Sequence, residues 1–188
     1  MLERIHVRYL KMILGVQSST CNTAIYAETG SYPIVIRQKI RLFRYWSRLN
    51  RLEDYKIVRQ VYKHLRHLTD LGFNTWVSTI KVLLEEVDCS DLYNDDYVSS
   101  KMEESIVVSI SDQLKYQFST DCIKQLHSFP SLRTYVTFKQ EFNLEQYLVE
   151  IKDYRIRNVI TKLRLGKLPL HVEKGRHTKP KTPLEKRI

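Results

Sequence analysis

Tyr93-Asn94-Asp95-Asp96 spells Tyr-x-Asp-Asp. An aspartate pair of this kind, at the tip of a hairpin between two apolar strands, can hold two divalent metals together with a third upstream Asp. Here the run is preceded by Asp88-Cys89-Ser90-Asp91 instead of an apolar strand, and the chain upstream has helical periodicity. The spelling therefore reads as an acidic loop, and neither Asp95 nor Asp96 is expected to be catalytic. His64 and His67 stand at i and i+3 and could share a metal. Arg59, Lys63 and Arg66 surround them and carboxylates are few, so solvated or phosphate-facing imidazoles are expected. His171 and His177 have no cysteine at metal-ligand spacing. There is no Cys-x-x-Cys, Gly-rich phosphate loop or nucleophile elbow. Glu85-Glu86 and Glu103-Glu104 are consecutive on helices and diverge. No enzyme activity, cofactor or metal is expected.

The pattern with the most chemical content is cationic. Arg37, Arg41, Arg44, Arg48 and Arg51 fall at i, i+4, i+7, i+11 and i+14. At 100° per residue they form one narrow helical stripe. Val35, Leu42, Trp46 and Leu49 lie opposite, flanked by Ile36 and Phe43. From Ser31 to His67 the only acids are Glu53 and Asp54, so the stripe lacks the i,i+4 carboxylates that would neutralise it. Guanidinium groups bind phosphate in a bidentate fork, and a row of them can follow a nucleic-acid backbone. Lys56, Arg59, Lys63 and Arg66 form a second row opposite Val58, Val61, Leu65 and Leu68. Arg155, Arg157, Lys162 and Arg164 surround Ile156, Val159, Ile160 and Leu163, and Arg176 follows in the C-terminal tail. Tyr45, Tyr62 and Tyr154 lie near these cations and could stack on bases, although each alone is more simply a core or boundary aromatic.

Bulk composition agrees with a polyanionic partner. The net charge is +10 over 188 residues, with a pI near 9.5, which favours nucleic acid or a membrane surface. Charge is distributed in blocks. Residues 1–67 carry 13 Lys/Arg against 4 Asp/Glu, residues 68–112 carry 2 against 10, and residues 113–188 carry 16 against 7. Residues 1–14 read as an amphipathic helix and not a secretory signal, and no run of 18 apolar residues predicts a membrane span. Three dispersed cysteines (Cys21, Cys89, Cys122) argue against a disulfide framework and suit an intracellular compartment, nucleus or cytoplasm.

With only five Gly and five Pro, long helices are favoured over many short strands. Apolar spacing predicts helices over about 2–14, with Ile5, Tyr9, Met12 and Ile13 on one side, then from Ser18-Ser19-Thr20 to Glu28, 33–50, 55–69 and 75–87. An acidic linker at 88–96 precedes one or two helices over 98–127, a short helix near 131–141 and a last one over 152–165. Gly15, Gly30, Gly72 and Gly166 are the stop signals. The expected fold is an all-α, irregular bundle of about eight to ten helices. Residues 1–70 would form a basic lobe, 71–169 a second helical lobe, and 170–188 an extended or disordered basic tail.

The two ends of the chain add a resemblance. Leu2-Glu3-Arg4-Ile5-His6-Val7-Arg8-Tyr9-Leu10-Lys11-Met12-Ile13-Leu14-Gly15-Val16, followed by Ser19-Thr20, Asn22, Ile25-Tyr26, Glu28, Gly30 and Pro33, resembles the thumb that follows the palm in LINE-type (non-LTR) retrotransposon reverse transcriptases. Thr161-Lys162-Leu163-Arg164, Leu168, Glu173, Gly175-Arg176 and Pro183-Leu184-Glu185-Lys186-Arg187-Ile188 resemble the run leading into that family's zinc knuckle. The likeness covers about 1–50 and 152–188 and is loose between them. It implies a thumb and linker that grip template–primer, RNA or an RNA–DNA hybrid, alongside the palm and zinc knuckle of a longer parent chain. Catalysis is not carried over. The alternatives are a helical protein-interaction module, with the 98–127 helix as its partner surface, and a degenerate fragment without independent function.

Overall fold

The computed structural model describes residues 1–94 and 99–168. Among them are nine α-helices: α1 (Leu2–Ile13), α2 (Asn22–Thr29), α3 (Ile34–Asn50), α4 (Ile57–Asp70), α5 (Trp76–Glu86), α6 (Ser100–Ser128), α7 (Tyr135–Phe138), α8 (Gln146–Glu150) and α9 (Tyr154–Arg164). Short 3-10 turns cover Ser90–Tyr93 and Pro130–Leu132. The only pairing of extended backbone among these residues is an isolated antiparallel bridge between Thr29 and Leu144. The fold is all-α, as the sparse Gly and Pro predict. The expected tail at 170–188 lies outside the described residues.

The chain forms two compact units, Met1–Ser31 with Thr120 onward, and Tyr32–Ser119. These cut across the expected lobes of 1–70 and 71–169. Sequence charge changes sign near residue 68, but packing follows which apolar faces meet, and helices 1 and 2 find theirs beyond residue 120.

The Tyr32–Ser119 unit is built on an aromatic core. Ile36, Phe43, Trp46 and Leu49 of α3 pack with Tyr62 of α4, with Val77, Ile80, Leu83 and Leu84 of α5, and with Val107, Ile110 and Leu114 of α6. Trp46 is wholly enclosed, and its ring lies 5.5 Å from that of Phe43. Its indole N–H donates to the Tyr62 hydroxyl at 2.8 Å, because a buried polar handle needs a partner. Thr75 caps α5 by accepting from the Val77 amide at 3.1 Å. The neighbouring Asn74 side chain accepts from Ser78 Oγ at 2.9 Å. At the other end of α5, Gln117 of α6 donates to the Glu86 carbonyl at 3.3 Å, satisfying an acceptor that the helix leaves open.

The Met1–Ser31/Thr120 unit buries Val7, Leu10 and Leu14 from α1 and its end, and Ala24, Ile25, Tyr26 and Ala27 from α2. Cys122, Leu126, Leu132, Tyr135 and Leu165 add to its apolar interior. Gly30 ends α2 at φ 58°, and a Cβ there would run into the backbone of Asn143 and Leu144. The left-handed turn and the close approach both require glycine.

Several apolar faces are rotated from expectation. Ile5, Tyr9, Met12 and Ile13 of α1 are exposed, as are Val35, Val58 and Val61 and, on α9, Ile156, Val159 and Leu163. Helix α1 carries two apolar rows at helical spacing, and spacing alone does not say which one meets the core.

Tyr62→Phe removes the acceptor of a buried indole N–H. We expect a loss of about 1–3 kcal/mol in urea-induced unfolding, read by tryptophan fluorescence, with the fold retained.

Candidate nucleic-acid interface

Helix α3 is held by its buried row, and this fixes what its opposite face presents. Arg37, Arg41, Arg44 and Arg48 are all exposed. Among the described residues none of the four forms an ion pair or side-chain hydrogen bond. At 1.5 Å rise per residue the four span about 16 Å, comparable to about five phosphate spacings of about 3.4 Å along a strand. Arg51, the fifth of the expected stripe, is turned to Glu103 at 2.5 Å, whose carboxylate also accepts from Ser47 Oγ at 3.1 Å.

The second expected row is less open. Lys56 is exposed, with its ammonium 4.6 Å from the centre of the Tyr55 ring. Lys63 is exposed but lies 2.6 Å from Asp54. The Lys63 ammonium, with Arg59 behind it, holds the Asp54 carboxyl below its ordinary value. Arg66 is half-buried and its guanidinium stacks 5.0 Å from the Tyr93 ring. Arg59 departs from the sequence reading most. It is 5 % exposed, donates to Asn50 Oδ1 at 2.7 Å and packs 5.3 Å from the Tyr62 ring centre. It props α3 against α4 and leaves the contact set. Tyr62 is enclosed with it, whereas Tyr45 stays exposed, its ring 5.6 Å from that of Trp76.

Of the cations on α9, Arg155 is exposed and Lys162 half-buried. Arg157 donates to the Leu148 carbonyl at 3.2 Å. Arg164 turns inward and enters an ion cluster that the sequence did not reveal. Glu28 is 0 % exposed. Its oxygens accept from Tyr135 OH at 2.8 Å, Tyr147 OH at 2.6 Å and Arg164 Nε at 2.8 Å. Arg164 also reaches Glu145 at 2.8 Å. Glu145 in turn pairs at 2.6 Å with Lys139, another enclosed cation. Burial, followed by Glu28, drives the Tyr135 hydroxyl pKa well above its ordinary value. Burial and the hydrogen bond to Glu28 do the same for Tyr147. Arg164 is therefore structural. No local signal marks this cluster, because Glu28 and its partners are 107, 119 and 136 residues apart.

Arg176, Asp95 and Asp96 lie outside the described residues. Tyr93 closes a 3-10 turn after α5 and donates to Asp70 at 3.3 Å. Burial, then Asp70, pushes its pKa up to about 12. His64 and His67 are exposed, and no group of three metal-ligating side chains occurs among the described residues. No described helix is long and apolar enough to cross a membrane.

Compared with protein-family models, curated proteins and solved structures, the chain matches none.

Two outcomes follow from the ion cluster. Arg164→Leu strands the buried Glu28 charge and should cost about 3–5 kcal/mol in denaturant unfolding. Tyr135 and Tyr147 hold their protons more tightly when folded than at the ordinary value of 10.0. Their contribution is present below pH 10.0 and is lost as pH rises past it. A melting temperature that falls above that pH, with an increment of tyrosinate absorbance that appears only on unfolding, is the expected record.

Proposed function

We propose that this chain grips nucleic acid through phosphate contacts, without strong sequence preference, as the thumb and linker portion of a LINE-type reverse transcriptase. The observation that carries the reading is the row Arg37, Arg41, Arg44 and Arg48, exposed along one face of α3 and without a carboxylate partner among the described residues. An unpaired cationic row repels itself at helical spacing, and a polyanion relieves that repulsion. Lys56, in the same unit, is exposed and supplements it. RNA or an RNA–DNA hybrid is the proposed ligand. The palm and zinc knuckle of a longer parent chain would be the neighbouring parts. Nucleotide incorporation is assigned to that palm and not to residues of this chain.

A protein-interaction role for α6 is the second reading, favoured by Val108 and Tyr116, which are exposed on that helix. Size measurement with and without RNA separates the two, since a stable homodimer indifferent to RNA fits only the second.

Fluorescence polarisation with labelled RNA and with RNA–DNA hybrid should give an affinity that falls steeply with salt. Four phosphate contacts correspond to a slope of roughly −3 in log K against log salt. Arg41→Glu with Arg48→Glu should remove most of the binding and flatten the slope, with the circular-dichroism spectrum unchanged. Binding that ignores salt, or survives the double reversal intact, sinks the proposal.

A further inference from the structure

Helix α1 carries a second set of cations, at a place the α3 row does not involve. Arg4, Arg8 and Lys11 stand at i, i+4 and i+7, between the buried Val7–Leu10–Leu14 face and the exposed apolar row. The chain after α1 folds back beneath them. The Val16 amide donates to the Lys11 carbonyl at 3.1 Å, and Lys11 Nζ donates to the Ser18 carbonyl at 2.7 Å. Between helix and loop lies a groove of about 680 Å³, lined by Arg4, Arg8 and Lys11, by Ser18, and by Asn22 at the start of α2. Its volume falls in the range of small-molecule sites, about 300–1,000 Å³.

The groove is short of negative charge. Lys11 is only 8 % exposed. Among the described residues no carboxylate pairs with it, with Arg4 or with Arg8. Among the described residues the one acidic side chain on the wall is Glu3. Its carboxylate accepts the Tyr26 hydroxyl and lies 3.6 Å from His6. Among the described residues the Lys11 ammonium thus has a single backbone carbonyl for three protons, with the Cys21 thiol nearby, and burial lowers its pKa. Buried charges are ordinarily paired, so a cation left in this state at the floor of a cationic groove marks a place for an anion.

We propose that this groove binds a phosphate group, with Arg4 and Arg8 forking its oxygens and Lys11 supplying a point charge at the floor. Guanidinium forks suit phosphate geometry, and an enclosed ammonium contributes most where water is excluded. The phosphate can come from a free nucleotide or ion, or from one unit of a nucleic-acid backbone. The site does not depend on the α3 reading, since its residues all lie within Met1–Asn22.

The test is calorimetric titration of the full chain carrying Arg41→Glu and Arg48→Glu, so that the α3 row does not contribute. The probes are inorganic phosphate, adenosine monophosphate and a short oligoribonucleotide. Saturable binding of at least one probe is expected, weakened at least about tenfold by Arg4→Gln with Arg8→Gln. Both arginines are exposed, so the fold is retained. Lys11→Met, which keeps the buried stem, should weaken the same probe. Saturation by phosphate or the mononucleotide identifies a free anion; binding of the oligoribonucleotide alone identifies a strand backbone. No saturable binding by any probe, or equal binding by the Arg4→Gln/Arg8→Gln chain, overturns the proposal. Failure of the α3 reading would show separately, as RNA binding unaffected by the α3 reversals.

Discussion

A carboxylate without access to water must be met by donors, and Glu28 organises its whole unit around that requirement. An uncompensated buried charge costs several kcal/mol, while a fully bonded one is tolerated. Three donors converge on it from α7, α8 and α9. Helices of four and five residues, as α7 and α8 are, have no stability of their own in water. They are fixed in place because Tyr135 and Tyr147 are anchored to the carboxylate, with Lys139 anchored to Glu145 beside it. The same demand explains why α9 turns a polar row inward. Thr161 is buried and Arg157 and Arg164, at i−4 and i+3 from it, are half-buried, whereas Ile156, Val159 and Leu163 face out.

The other unit solves its interior differently. Its core is apolar and aromatic, with the polar contacts Trp46 to Tyr62 and Arg59 to Asn50 built into it. Because the buried row of α3 is satisfied by apolar packing, the opposite row has no structural duty. Arg41 and Arg164 are the same residue type on similar amphipathic helices. One is spread to solvent and the other is locked, and the difference is the presence of a carboxylate from a distant part of the chain.

Much of the secondary structure was legible from spacing and punctuation. Helices α3, α4 and α9 end within a residue or two of expectation, and Gly15, Gly30 and Gly166 adopt positive φ at the ends of helices. Facing was less legible. Where a helix has two apolar rows, as α1 does, or where burial is polar, as on α9, periodicity gives the helix without its orientation. The open row Arg37 to Arg48 could be read because Phe43, Trp46 and Leu49, away from it on the same helix, are buried. Arg59 and Arg164 could not be told from it, since their partners Asn50 and Glu28 are recognisable only once the chain is folded. The groove beside Arg4, Arg8 and Lys11 escaped notice because it depends on a loop that doubles back. Helix α8 was missed for lack of any periodic run of useful length.

The discontinuous make-up of the Met1–Ser31/Thr120 unit has a consequence for how the molecule comes into being. During synthesis α1 and α2 emerge ahead of the rest of their unit, with Glu28 still open to water. Its last partner, Arg164, is 136 residues downstream. At about 5–20 residues per second the wait is on the order of 10 s. The Tyr32–Ser119 unit has all its own segments in hand well before then, so the order of emergence lets it consolidate while the first two helices wait. The apolar faces that α1 and α2 later bury are then a nascent-chain liability, and the arrival of the downstream segments removes it.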